Sequence, residues 1–210
     1  MTALRTTLLS DGSSDRTLIP ILDWLLQRMV LVRALSGTQW ADLRYRRRQP
    51  LNLEERARLA VQDYPCELLF VHRDAEDRIP DHRRVEIQNA MRHFGGNPPA
   101  VCVIPVRMTE AWLLLDERAI RIASGNPYGR RPLNLPPRAS IERIADPKGA
   151  LFQALRDASE QTGRRLRDLR VDERRHRVAE LMNQELLLTL PAFQALEAEL
   201  NTTLVANGWA

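Results

Sequence analysis

The stretch Glu67-Leu68-Leu69-Phe70-Val71-His72-Arg73-Asp74-Ala75-Glu76-Asp77 decides the fold class of this chain. Its first half is a nearly continuous apolar run, which is typical of a central parallel strand that is covered on both faces. Its second half is acidic and begins where the strand should end. Because open parallel sheets bind ligands at the carboxyl ends of their strands, we expect the chemistry of the protein to lie there.

On both sides of this stretch, short apolar or β-branched runs alternate with longer helical patterns, which indicates an α/β fold. Strands are predicted at residues 4–10, 30–35, 67–71 and 100–106. Helices are predicted at residues 15–29, 53–63, 82–94, 109–124, 141–161, 172–188 and 191–206. We therefore expect a mostly parallel sheet flanked by helices, followed by a helical C-terminal extension.

A segment rich in proline and glycine divides the predicted elements into two regions. It covers residues 126–138 and includes Pro127, Gly129, Pro132, Pro136 and Pro137. The predicted domain organisation is therefore an α/β domain at 1–125, a linker at 126–138 and the helical extension at 139–210.

The composition excludes several classes of protein. With 210 residues, 44% apolar and 28% charged, the chain has enough apolar material for a sizeable core, so intrinsic disorder is excluded. Its longest apolar stretches are far shorter than the roughly 20 residues that span a bilayer. We expect a soluble cytoplasmic protein without membrane contacts, and two buried thiols at Cys66 and Cys102 in place of a disulfide.

The net charge of +4 has a local origin. Residues 164–177 contain seven arginines against three acids, and this surplus of four equals that of the whole chain. A single basic segment on a neutral body is a weaker indication of nucleic-acid binding than a basic surface throughout. If the segment contacts phosphates, its arginines should contribute to salt-dependent binding, and otherwise it is a solvated helix face.

Acidic residues follow three of the predicted strands. Asp11 comes after the first strand, Asp74 after the central strand, and Glu110 after the strand at 100–106. Carboxylates that converge without matched bases repel one another, and a hard divalent cation such as Mg²⁺ or Mn²⁺ relieves this repulsion. Each acid alone is equally explained as a turn or helix-capping residue, and Asp15 is such a candidate.

Three motifs resemble the small Toprim-like proteins of unknown function that occur in bacterial defence and mobile loci, often beside an ATPase gene. They are Leu9-Ser10-Asp11-Gly12-Ser13-Ser14-Asp15, the acidic stretch after Phe70-Val71, and Val103-Ile104-Pro105-Val106-Arg107-Met108-Thr109-Glu110-Ala111-Trp112-Leu113-Leu114-Leu115-Asp116. The resemblance covers about residues 4–118, and its most specific part is the Glu-Ala-Trp-Leu-Leu-Leu-Asp stretch at 110–116 with the Asp146-Pro147-Lys148 that follows. These proteins are related to the Toprim half of overcoming-lysogenisation-defect nucleases.

The resemblance implies metal-assisted phosphodiester hydrolysis of nucleic acid, with a partner ATPase encoded nearby. Asp11 and Asp74 would hold Mg²⁺ or Mn²⁺ together with Glu76 or Asp77, and Glu110 would complete the catalytic site. The chain departs from the Toprim pattern at Asp11, where the pattern has glutamate, and in the Asp74-Ala75-Glu76-Asp77 spacing, where the pattern has Asp-x-Asp.

Five basic residues are candidates for phosphate or nucleic-acid contacts. Arg73 and Arg107 would neutralise phosphate oxygens or pair with neighbouring carboxylates. Lys148, the only lysine, begins a predicted helix. Arg46 and Arg47 belong to Arg44-Tyr45-Arg46-Arg47-Arg48, a pattern that suits phosphate contacts with base stacking and equally suits a solvated basic loop.

Other functions remain open at this point. A phosphoacceptor receiver domain or a haloacid-dehalogenase-like phosphatase would distribute its acids differently after the strands, and no Gly-x-x-x-x-Gly-Lys loop is present. The main alternative to a nuclease is a non-catalytic Toprim-like module that docks on a partner in an ATPase-containing complex. The long helical C-terminal region would supply its docking surface.

Overall fold

The fold was analysed in a computed structural model, which describes residues 3–48, 50, 52–76, 79–95 and 97–210. The strands are β1 (Leu4–Leu9), β2 (Leu35–Trp40), β3 (Leu68–His72) and β4 (Ala100–Val103). The α-helices are α1 (Ile19–Met29), α2 (Leu53–Asp63), α3 (Pro80–Phe94), α4 (Thr109–Leu113), α5 (Glu117–Ala123), α6 (Pro147–Ser159), α7 (Gly163–Arg167), α8 (Val171–Leu181) and α9 (Pro191–Ala206). Short 3-10 helices lie at Ser13–Leu18, Arg138–Arg143 and Gln184–Thr189.

The four strands form one parallel sheet in the order β2-β1-β3-β4. This arrangement confirms the predicted α/β class with helices flanking a parallel sheet. The two strands whose ends carry Asp11 and Asp74 are neighbours, as predicted, with Leu9 paired to Val71. Because the strand order reverses between β1 and β3, a crevice is expected at their carboxyl ends.

Apolar residues cover both faces of the sheet. On one face, Leu8, Phe70 and Val103 pack with α1 and with the helices that follow β4, in a core that extends to Leu204 of α9. On the other face, side chains such as Val71 pack with α2 and α3. Burial on both faces explains why the sequence of β3 is apolar at successive positions.

The predicted second strand at residues 30–35 is wrong. Val30 ends α1, where its N–H donates to the Leu26 carbonyl at 2.8 Å, and Leu31 is 79% exposed. The strand begins at Leu35 and is polar because it lies at the sheet edge, where hydroxyls replace apolar contacts. Thr38 and Thr6 share a hydrogen bond between their hydroxyls at 2.9 Å.

Several predicted helices are divided in the structure. The helix predicted at 109–124 is two helices, because the Asp116 carboxylate accepts the N–H of Ala119 at 3.0 Å and starts α5 anew. Asp146 likewise caps α6 through the N–H of Gly149 at 2.8 Å, so that the helix predicted from residue 141 begins at Pro147. The helix predicted at 172–188 ends at Leu181, whereas the helices predicted at 53–63 and 191–206 have the predicted bounds.

The segment 126–138 is tied to the helices that follow it. Asn126 donates to the Ala158 carbonyl at 3.0 Å, and the Glu160 carboxylate accepts the N–H groups of Arg130 and Arg131 at 2.6 and 2.7 Å. The proposed division into domains stays a prediction. Within the described ranges, no helix is both long enough and apolar enough to cross a membrane.

Candidate active site

The carboxyl ends of β1, β3 and β4 bring together a group that we call the edge cluster, formed by Asp15, His72, Asp74 and Glu110. His72 is the last residue of β3, and its side chain is only 1% exposed. Its Nε2 lies 3.5 Å from Asp74 Oδ1 and 3.9 Å from Asp15 Oδ2. Two carboxylates therefore converge on one imidazole nitrogen.

The orientation of His72 is set by β4. Its Nδ1 lies 3.0 Å from the Val103 carbonyl oxygen, and since a carbonyl oxygen can only accept, Nδ1 carries a proton and donates. In neutral His72 the Nε2 lone pair would then face carboxylate oxygens, which is repulsive. A proton or a cation between Nε2 and the carboxylates removes this repulsion, and the same ring orientation is common in metal-binding histidines.

Asp74 is the electrostatically strained member of the cluster. Burial raises its pKa from 3.8 to about 6, and the charges of Asp15 and Glu110 act in the same direction. The charge of His72 and the N–H of Thr109, which donates to Asp74 Oδ1 at 3.1 Å, oppose the rise but do not cancel it. Excess negative charge at Asp74 is what a bound cation would neutralise.

The negative charge of Glu110 is balanced by Arg175 of α8. Glu110 lies in α4 with its side chain 6% exposed, and its Oε1 accepts from Arg175 Nη1 at 2.5 Å. Arg175 in α8 is 8% exposed, and its guanidinium also lies over the Phe152 ring at 5.9 Å. Glu110 of the edge cluster thus forms a buried ion pair with Arg175, which joins the carboxyl end of the sheet to α8.

Asp11 lies in a different environment from Asp74. Its Oδ1 accepts from Arg56 Nη1 at 2.5 Å and from Arg73 Nη1 at 2.9 Å. Burial would raise the pKa of Asp11, but the hydrogen bond from Arg56 and the charges of both arginines lower it below its ordinary value. The first-strand acid that lies with Asp74 is therefore Asp15, whose Oδ2 also accepts the N–H of Gly12 at 3.0 Å.

Of the remaining predicted ligands, the structure describes Glu76, which lies on the loop after β3. Glu76 has a positive φ of 52°, and its side chain is 74% exposed and pairs with Arg83 at 3.0 Å. Asp77 lies outside the described residues. Arg107 donates to the Ala145 carbonyl at 3.4 Å and, like Glu76, lines a surface cavity of about 590 Å³.

The residues predicted to contact nucleic acid differ in whether their side chains already pair with acids of the chain. Arg73, besides holding Asp11, lies 3.3 Å from Glu86. Arg46 makes a two-pronged ion pair with Asp63, whereas Arg47 is exposed. Lys148 is exposed with its Nζ 5.7 Å from the Phe152 ring centre. Their roles in binding stay predictions.

Sequence reasoning did not assign Asp15, Arg56 or Arg175 to the site. Asp15 was interpretable as a helix-start residue, and it does lie in a helix start. Arg175 had a usable signal, since it stands at helical spacing between Val171 and Val178 on the buried side of α8. An arginine on an apolar stripe predicts a buried acidic partner.

The donor set suits a divalent cation chemically. Two carboxylates and an imidazole nitrogen with a fixed tautomer are metal ligands, and the nitrogen favours Mn²⁺ over Mg²⁺. Within the described ranges, however, no group of three or more His, Cys, Asp or Glu side chains already has the spacing of a metal site. Comparison with protein-family models, curated proteins and solved structures finds no match.

Proposed function

We propose that this protein is a metal-dependent phosphodiesterase that acts on nucleic acid, as the resemblance to Toprim-like proteins implies. The observation that supports this most is Asp74, a partly buried carboxyl group with its side chain 24% exposed, whose pKa is raised to about 6 beside Asp15 and His72. Perturbed acids in a crevice at a strand-order reversal are characteristic of functional sites.

In this proposal, Asp15 and Asp74 hold Mn²⁺ or Mg²⁺, and His72 Nε2 supplies a third donor. A cation held by these residues would supply Lewis-acid activation of the phosphate and of water. The Val103 carbonyl holds the His72 ring in place through Nδ1. Glu110, fixed by Arg175, keeps a negative charge beside the ligands and orients them.

Basic residues near this edge would contact the substrate. Arg107 donates to the Ala145 carbonyl just before α6, and Lys148 lies in the first turn of α6. Arg47 is exposed and follows β2 in the chain. These charges would contact backbone phosphates, whose recognition does not depend on base sequence. We further propose, from the resemblance alone, a partner ATPase and a role in a defence or mobile-element system.

A second function, a non-catalytic module of an ATPase-containing complex, is favoured by a different observation. Asp11 is neutralised by two arginines and Glu110 by one. Acids that are already paired within the chain serve the fold, and no substrate is needed to explain them. In this case the edge cluster would be a structural feature, and the protein would act through its surface.

A nuclease assay with matched variants separates the two functions. Plasmid and single-stranded DNA and RNA would be incubated with the protein in Mn²⁺, in Mg²⁺ and in EDTA. Asp74→Asn and Asp15→Asn should each lower cleavage at least 100-fold, because each removes a charged ligand. Asp168→Asn removes one carboxylate from the exposed end of α7 and should cleave like the wild type.

Calorimetric titration with Mn²⁺ completes the test. Wild type and Asp168→Asn should bind the ion, and Asp74→Asn should bind it at least tenfold more weakly. Equal Mn²⁺ affinity in all three proteins, or cleavage that Asp74→Asn retains, would contradict the proposed enzyme. Absence of both binding and cleavage in the wild type, with its partner present, would favour the non-catalytic module.

A further inference from the structure

We propose that a cavity beside the edge cluster binds the terminal phosphate of a nucleic-acid strand. The inference rests on the proposed function and adds a substrate feature to it. The cavity has a volume of about 210 Å³ and lies between the 3-10 helix Ser13–Leu18 and α8. Ser13, Ser14 and Arg16 line one side, and Asp172, Arg175 and His176 line the other.

Arg175 forms part of one wall of this cavity. Its side chain is 8% exposed, and its Nη1 is engaged by Glu110. Its Nη2 lies 3.8 Å from Asp172, which also lines the cavity, so this end of the guanidinium is the one that an oxygen-bearing anion there would contact.

Arg16 supplies an exposed positive charge to the cavity lining, although this charge also acts on Asp42. It is exposed and its guanidinium lies 5.6 Å from the Trp40 ring centre. It makes no hydrogen bond or ion pair to any residue that the structure describes. A phosphate offers three acceptor oxygens, which suit the planar forks of two arginines and the hydroxyl of Ser13.

Two contacts join the cavity to the edge cluster. Ser14, which lines the cavity, donates through Oγ to Asp15 Oδ1 at 3.0 Å. Arg175, on the opposite wall, donates to Glu110. A phosphate in the cavity would therefore lie next to the carboxylates proposed to act on the neighbouring phosphodiester.

The charge favours a terminal phosphate over an internal one. A phosphomonoester carries about −1.5 to −2 charges at neutral pH, whereas a diester carries one. The carboxylate of Asp172, 3.8 Å from Arg175 Nη2, opposes any anion and weakens the site.

Binding is measured in EDTA, so that neither metal nor cleavage contributes. The probes are three internally labelled single-stranded DNA oligonucleotides of one sequence, with a 5′-phosphate, a 3′-phosphate or hydroxyls at both ends. In fluorescence anisotropy, the wild type should bind one phosphorylated oligonucleotide about tenfold more tightly than the hydroxyl form. Inorganic phosphate should compete for this difference alone.

Three variants test whether the cavity is the source of the preference. Arg16→Gln should abolish it, and Asp172→Asn should increase it at least threefold. Arg167→Gln removes an equal charge from α7, outside the cavity, and should preserve it. None of these side chains is buried, so that folding is not at risk.

A wild type with equal affinity for all three oligonucleotides would overturn the proposal, as would a preference that Arg16→Gln retains. Competition by inorganic phosphate without an end preference would overturn the assignment to a strand end. The proposed enzyme is tested separately by cleavage in Mn²⁺. A preference in EDTA with no cleavage would leave the phosphate site standing and refute only the enzyme.

Discussion

Replacing Asp74 with asparagine should stabilise the metal-free protein at neutral and alkaline pH. Burial first, and then the charges of Asp15 and Glu110, raise the pKa of Asp74 from 3.8 to about 6 in the folded chain. Asparagine keeps an oxygen that accepts the Thr109 N–H but carries no charge. The variant therefore removes the repulsion and keeps the hydrogen bond.

The size of the effect follows from the pKa. A gap of about two pKa units, at roughly 1.4 kcal/mol each, means that ionised Asp74 costs the fold about 3 kcal/mol. Below pH 4 the carboxyl is protonated in both the folded and unfolded chain, so that the cost is absent. Between pH 4 and 6 the unfolded chain releases the proton first, and stability falls as pH rises. Above pH 6 the full cost applies.

Thermal unfolding in EDTA from pH 4 to pH 8 measures this difference. At roughly 2–4 °C per kcal/mol for a chain of this size, Asp74→Asn should melt about 6–12 °C above the wild type at pH 8. The two proteins should melt together near pH 4, and Asp168→Asn should follow the wild type throughout. A variant that melts at or below the wild type at pH 8, or a gap that does not vary with pH, would refute the reasoning.

Added Mn²⁺ should narrow the gap between the two proteins. An ion at a hundred times its dissociation constant stabilises the folded state by about 2.7 kcal/mol. Wild type should gain this stabilisation at pH 8, and Asp74→Asn should not. The same melts therefore test both the electrostatic cost and its proposed relief.

Three further changes have distinct expected outcomes. Glu110→Gln should destabilise the protein by about 3–5 kcal/mol in urea unfolding, because it leaves the Arg175 charge buried without its partner; a stability equal to wild type would show that the pair contributes nothing. Asp11→Asn should cost less than about 1 kcal/mol at pH 7, because its carboxylate is half exposed. Since the pKa of Asp11 is lowered in the folded protein, this loss should shrink as the pH falls through that lowered pKa and the wild-type carboxylate takes up a proton; a loss that does not shrink in acid would have another cause. Arg47→Gln should flatten the salt dependence of duplex binding, measured by anisotropy, by a slope of about 0.9; an unchanged slope would remove Arg47 from the interface.

The fold could be predicted where local pattern and burial agree. The apolar run at Leu68, Leu69 and Phe70 indicated a strand covered on both faces, and it is the centre of the sheet. The second strand could not be placed, because its stability comes from partners distant in sequence. Ser36 donates to the Leu4 carbonyl at 3.1 Å, and such a contact leaves no apolar pattern.

The candidate site could be located but not resolved in detail. Acids after successive parallel strands predicted the edge at which Asp74 and Glu110 lie. The turn after β1 decides whether Asp11 or Asp15 approaches Asp74. In this turn the Gly12 N–H donates to Asp15, whereas Asp11 accepts a hydrogen bond from Arg56. The partner of Glu110 stands 65 residues further along the chain, and only tertiary packing brings it there.

The separation of Glu110 and Arg175 has a consequence for synthesis of the protein on the ribosome. Every strand of the sheet and α4 emerge before α8, so that Glu110 exists for a time without its cation. At roughly 5–20 residues per second, the 65 residues between them take about 3–13 s to translate. During that interval Glu110 has no Arg175 to balance its charge. The buried charge balance of the site is therefore complete only after α8 has been synthesised.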